Sequence, residues 1–294
     1  MKKTLKIPVI FDCDNTFGIP NCDVDDGLAL LYLLGCPEVE LLGITCTYGN
    51  NTQDTVYENT QRLLRTWGRG DIPVLRGAAS PKNRQSAAAV FLAQKARKYH
   101  GELRVLATGA MTNLLGAQEI DASFLKNVHT FSLMGGLTEP LFVGGRPMNE
   151  LNLSCDNAAS LAVMRNGKRV MIATAQNCLK SFFPKKECIE MLRTSEAAIA
   201  RYLEKHLMYW FDLNEQHWNI SGIVNWDVMA AAQLVHPEYF EMATEILSPT
   251  LTSLQKGWLT GAGTPISVTL PRIIHQNAYV HHIYSTYLSA HVVL

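Results

Sequence analysis

Residues 5–35 read LKIPVIFDCDNTFGIPNCDVDDGLALLYLLG. An apolar, β-rich run over 5–13 stops on acids, and a second apolar run over 25–35, closed by Gly35 and Pro37, has helical character. Between them lie Asp12, Asp14, Asp23, Asp25 and Asp26, with no Lys or Arg inside the segment. Uncompensated carboxylates so close repel one another, and in a folded chain such a cluster calls for a cation. Oxygen-only donors suit Ca²⁺ or Mg²⁺ and not Zn²⁺. Acids at 25 and 26 would also suit a helix N-terminus, but that leaves Asp12 and Asp14 at the strand end unexplained.

The same alternation continues outward. Strands are expected at 39–49, 72–77, 103–109, 128–136, 168–174 and 266–270. Helices are expected at 52–68, 84–99, 111–120, 156–166, 186–217 and 225–235, with a Gly/Pro loop over 137–152. Strands separated by helices predict an α/β fold with a mostly parallel central sheet, covered by helices on both faces. No repeat or low-complexity linker divides the chain, so residues 1–294 are read as one domain. In such sheets ligands bind at the carboxyl ends of the strands. Polar clusters sit there at 12–14, 47–51, 108–113 and 135–136.

Composition narrows the partner. The 294 residues carry 26 Lys+Arg against 26 Asp+Glu, a formal charge of +0, and 47% are hydrophobic. A neutral chain has no basic footprint for nucleic acid, so a small molecule is expected. The seven cysteines form no C-x-x-C pair and are odd in number, which fits a reducing cytoplasm. The opening Lys2–Lys3 pair begins like a signal peptide, but the apolar run ends at Asp12. No window approaches the ~18 apolar residues of a membrane span.

Two families share parts of the acidic segment. FDCDNT resembles the D-x-D-x-T signature of haloacid-dehalogenase-like phosphatases, a short motif. DCD and DVDDGLALLYLL together resemble the two halves of D-x-D-x-G-x-D-D-A-x-A-L in the inosine-uridine nucleoside hydrolases, separated here by an insertion at 15–22. Later stretches are similar to that family in order: ELLGITCTYGN (40–50), VLATGAMTNL (105–114), FSLMGG (131–136), ELNLSCDNAA (150–159) and NWDVMAA (225–231). The resemblance spans about residues 7–240 and outweighs the single phosphatase motif.

That resemblance implies a Rossmann-like nucleoside hydrolase fold and Ca²⁺-dependent cleavage of the N-glycosidic bond of ribonucleosides, as in purine salvage. It implies Ca²⁺ held by Asp14, Asp26, Thr108 and Asp227, with Asp14 also the catalytic base for an attacking water. Asp25, Asn50, Glu150 and Asn152 would hold the ribose, and Asp12 would brace the loop. It also implies a homodimer or homotetramer. Trp226 stands where broad-specificity relatives carry a histidine, and it resembles the purine-preferring subgroup, in which indole stacking assists departure of the base. A tryptophan there can equally pack in the core.

The chain departs from the family pattern in places. A histidine-glycine stretch is absent from 77–100, and Gly144 replaces a sugar-binding asparagine, so that contact is either lost or supplied by another residue such as Asn149. His217 reads as a surface-helix histidine or a leaving-group acid, and Tyr209 and Trp210 read as core. The C-terminal HHIYSTYLSAHVVL reads as a strand or interface. If the insertion displaces Asp14, the alternative is a ribose- or nucleoside-binding protein without turnover.

Overall fold

A computed structural model describes residues 6–294. The first residue of the expected strand at 5–13 and the Lys2–Lys3 pair lie outside the described residues. The strands are β1 (Ile7–Cys13), β2 (Val39–Cys46), β3 (Val74–Arg76), β4 (Arg104–Ala107), β5 (Thr130–Met134), β6 (Phe142–Val143), β7 (Arg146–Pro147), β8 (Val170–Ala173), β9 (Phe182–Pro184), β10 (Gly222–Val224), β11 (Phe240–Leu247) and β12 (Ile266–Ile273). The longer helices are α1 (Asp25–Gly35), α2 (Gln53–Thr66), α3 (Ala87–Lys98) and α4 (Thr112–Ile120), then, after the short α5 (Phe124–Asn127) and α6 (Asn152–Cys155), α7 (Asn157–Asn166). They are followed by α8 (Ala175–Cys178), α9 (Lys185–Thr194), α10 (Ala198–Trp218), α11 (Trp226–Val235), α12 (Leu251–Leu254) and α13 (Gln276–Leu288).

Eight strands form the central sheet in the order β11-β12-β8-β5-β4-β1-β2-β3. All neighbours pair in parallel except β11, which runs antiparallel to β12 at the edge. The expected α/β architecture is therefore present, with a mixed edge. Side chains alternate across β1: Val9, Phe11 and Cys13 join one apolar layer, and Ile10 joins the other. Helices α1, α10, α11 and α13 contribute to the first layer, and α3, α4 and α7 to the second.

Three expectations change. The run at 186–217 is two helices, α9 and α10, broken at residues 195–197. The strand β11 went unread because its outer face is solvated, with Glu241, Met242, Thr244 and Ile246 at the surface or partly so. The C-terminal stretch is not a strand but the helix α13, with Tyr279, Ile283 and Tyr287 buried at a four-residue spacing. Among the described residues, no helix is long and apolar enough to cross a membrane.

The insertion at 15–22 is anchored. Asn15 Oδ1 accepts from Phe17 N–H at 2.9 Å, and Asn59 Nδ2 donates to the carbonyls of Asn15 and Phe17 at 3.2 Å. Phe17 is fully buried, edge-on to Trp67 and stacked with His206. The inserted loop therefore bulges outward while its aromatic anchor fixes both flanks, Asp14 on one side and Asp23 on the other.

Candidate active site

The carboxyl ends of β1, β2, β4 and β5 and the N-termini of α1 and α11 converge on one cavity of about 100 Å³. Its walls carry Asp23, Asp25, Asn50, Thr108, Glu150 and Asn152, with Trp226 and Asp227 from the start of α11.

Alternation in β1 sorts the first two aspartates. Asp12 lies within the strand and is fully buried; its Oδ2 accepts from Thr45 Oγ1 at 2.5 Å and from Asn113 Nδ2 at 2.9 Å. Burial pushes its carboxyl up to about 7, against those two hydrogen bonds. Thr108 N–H donates to the Asp12 carbonyl at 2.9 Å. Asp12 thus ties β1 to β2, α4 and the end of β4, and does not line the cavity.

Asp14, one residue past the strand, is also fully buried and, like Asp26, lies behind the residues that line the cavity. Its Oδ2 accepts from Asn50 N–H at 2.6 Å, and Asn50 Nδ2 reaches Oδ1 at 3.4 Å. The loop after β2 comes this close because residue 49 has no side chain: a Cβ on Gly49 would stand 2.0 Å from Asp14 Oδ2. Burial raises the Asp14 carboxyl to about 6, with neighbouring Asp23 adding repulsion and the Asn50 amide opposing it.

Asp25, Asp26 and Asp227 place one carboxylate oxygen each within 4.8 Å of one another. Thr108 Oγ1 donates to Asp26 Oδ1 at 2.6 Å, while Asp26 Oδ2 is buried without a hydrogen-bond partner. Burial first, then the other carboxylates, push Asp25, Asp26 and Asp227 well above the usual range. Like charges in a dry site cannot all ionise unaided. An orphaned buried oxygen among oxygen-only donors fits a hard divalent cation. Of the four ligands implied by the resemblance, Asp26 and Asp227 fall in this trio and Thr108 is bonded to it through its hydroxyl. Asp14 is side by side with Asp26, and Asp25 completes the trio although it was read as a ribose ligand.

The facing wall comes from the loop after β5. Glu150 accepts from Leu153 N–H at 2.7 Å and Ser154 N–H at 3.0 Å, which fixes its carboxylate at the start of α6. Asn152 Nδ2 donates to the Met134 carbonyl at 3.3 Å, so its Oδ1 has no part in that bond. Gly144 (φ +54°) contributes no sugar contact: a Cβ there would stand 1.5 Å from the Trp218 carbonyl. Asn149 lines the cavity instead. The hairpin β6–β7 thereby abuts the end of α10, where Arg146 donates to the carbonyls of His217 and Gln216. His217 itself is exposed, its Nδ1 on the Leu213 carbonyl, and it lies outside the cavity.

Above the carboxylates the cavity opens into an aromatic annexe lined by Trp210, Trp218, Trp226, Ile220, Val224 and Met148. Trp210, read as core from sequence, lines it. Among the described residues, none that lines the cavity or the annexe is Lys, Arg or His.

With that geometry in place, the comparisons decide the family. The family described as inosine-uridine preferring nucleoside hydrolase matches residues 9–263. The chain belongs to this family. It is 25% identical over 265 residues to a probable uridine nucleosidase 2 of Oryza sativa subsp. japonica, covering 80% of this chain and 77% of that one. Its fold is similar to that of a plant nucleoside hydrolase, with a TM-score of 0.83, 21% identity and coverage of 96% and 98%. It is also similar to that of a purine-preferring ribonucleoside hydrolase from Gardnerella vaginalis, with a TM-score of 0.77, 20% identity and coverage of 97% and 99%. As a nucleoside hydrolase the chain is an N-glycosidase, and the phosphatase reading falls away.

Proposed function

We propose that this nucleoside hydrolase releases ribose from purine or modified-purine ribonucleosides, with Ca²⁺ held by Asp14, Asp26, Asp227 and the Thr108 backbone carbonyl. The observation that carries the reading is the pairing of a floor of buried carboxylates with a roof of tryptophans across one cavity. Bound there, the cation would neutralise the buried carboxylates and would supply positive charge for the ribose hydroxyls.

The chain's own residues supply the rest. Asp14 is the base: Asn50 N–H holds its carboxylate in one orientation, and it takes the proton of the attacking water as the water adds to C1′. The transition state is oxocarbenium-like, so the carboxylates around it stabilise developing positive charge. Asp25 takes the 2′-hydroxyl. Glu150 and Asn152 take the 3′- and 5′-hydroxyls, each already oriented by a backbone partner. Because no lining residue is an imidazole, departure of the base relies on Trp226, whose indole stacks on the base. Seven free cysteines suit a reducing compartment, and we place the protein in the cytoplasm.

Ribose release from inosine, guanosine, adenosine, uridine and cytidine with Ca²⁺ tests this reading. The purine nucleosides should be turned over with the higher kcat/KM. A preference for uridine and cytidine would overturn the purine assignment, and no ribose from any of the five would overturn ribonucleoside hydrolysis.

A further inference from the structure

A second cluster of metal-type donors lies at the opposite end of the fold. Helices α1 and α11 both start in the catalytic carboxylates and run to the other edge of the sheet, roughly 15 Å away at 1.5 Å per residue. Cys36 follows the last residue of α1, Glu38 precedes β2, and His236 follows the last residue of α11. Their donor atoms lie within 4.8 Å of one another. From α13, His282 packs its ring 4.4 Å from that of His236 and meets Tyr32 Oη through Nε2 at 2.9 Å.

We propose that Cys36, Glu38 and His236 bind a transition-metal ion of the Zn²⁺ class. The set is one sulfur, one nitrogen and one oxygen, which is zinc chemistry and not that of the oxygen-only active site. His236 sits between two carboxylates: Nε2 is 2.7 Å from Glu38 Oε1, and Nδ1 is 2.8 Å from Glu238 Oε1. Glu238 thereby holds Nδ1–H and turns Nε2 toward the cluster, the outer-carboxylate arrangement common behind metal-binding histidines. Donors of a tetrahedral zinc site stand roughly 3.3–3.7 Å apart, so small side-chain rotations open the Glu38–His236 pair around an ion. Cys36 is buried, whereas Glu38 and His236 are partly exposed and give the ion a route in. Binding releases the Cys36 thiol proton and the proton His236 shares with Glu38. The ion also sits at the C-terminal ends of two helices, where positive charge is favoured. It would clamp α1 to α11 behind the catalytic acids.

The test is Co²⁺ and Zn²⁺ titration of the Ca²⁺-saturated protein under reducing conditions. The expected result is one Co²⁺ per chain with a near-ultraviolet thiolate-to-cobalt band, bleached by Zn²⁺. The band should disappear in Cys36→Ser and persist in Asp227→Asn. Glu238→Gln should weaken Zn²⁺ binding about tenfold or more while the protein stays folded. Absence of the band in wild type, or its survival in Cys36→Ser, would reduce the cluster to an ion-pair network and overturn the proposal. Unchanged Zn²⁺ affinity in Glu238→Gln would overturn the role of that carboxylate.

Discussion

The backbone N–H of Asn50 donates to Asp14 Oδ2 at 2.6 Å, and the absence of a side chain at Gly49 makes that approach possible. One hydrogen bond thus joins the ends of two adjacent parallel strands and fixes the orientation of the carboxylate assigned as base. Asp12, two residues earlier, points into the α4 side and is spent on Thr45 and Asn113.

Asp14→Asn should therefore lower kcat by roughly 10²–10⁴ while the fold is retained, because the amide oxygen still accepts from Asn50. Single-turnover ribose release and a thermal melt separate the two effects. A variant that melts normally and retains wild-type kcat would refute the assignment of the base.

Trp226 forms the boundary between the sugar floor and the aromatic annexe. Base stacking contributes about 1–3 kcal/mol, so Trp226→Ala should cut kcat/KM for a purine nucleoside by about 5- to 150-fold. Trp226→Phe should retain most of it. Equal losses in the two variants would indicate packing and not stacking.

The site's carboxylates also set the response of stability to pH. Asp12 and Asp14 have folded-state values of about 7 and about 6 against 3.8 in the unfolded chain. A raised carboxyl favours the folded state when protonated, so that stability is fully present below pH about 4. It is lost as pH rises toward 7. The chelated protein should melt at a lower temperature at pH 8 than at pH 5, and saturating Ca²⁺ should narrow the difference by binding the folded state through Asp14. Calorimetry with and without chelator checks this; a chelated protein that grows more stable from pH 5 to 8 would refute it.

Phe17 anchors the inserted loop between α2 and α10 and is fully buried. Phe17→Ala should destabilise the protein by about 3–5 kcal/mol, measured by denaturant unfolding. Activity at temperatures well below the melt should fall as well, since Asp14 and Asp23 flank the loop. Full activity with full stability would mean the anchor is dispensable.

Much of this was legible in the sequence for physical reasons. Asp12, Asp14, Asp25 and Asp26 follow a strand and open a helix, and both facts show in the pattern of apolar runs. Thr108 and Asp227 sit at equivalent element junctions. The parts that escaped are made by tertiary contact. Trp210 and Trp218 lie eight residues apart on α10, and their part in the cavity wall shows only in the tertiary packing. Asp23 stood in the acidic cluster without an assigned role, and its place in the cavity wall is set by the fold of the inserted loop. The helix α13 was obscured by histidines and tyrosines whose buried members alternate with polar ones.

Buried carboxylates that cannot all ionise unaided make a cation the proposed requirement for nucleoside hydrolysis. Ribose release from inosine by chelator-stripped protein, followed as Ca²⁺ is added back, tests it most directly. The predicted result is negligible release without Ca²⁺ and saturable activation with it, absent in Asp227→Asn. Release of ribose at full rate in the presence of excess chelator, or equal activation of Asp227→Asn, would contradict it.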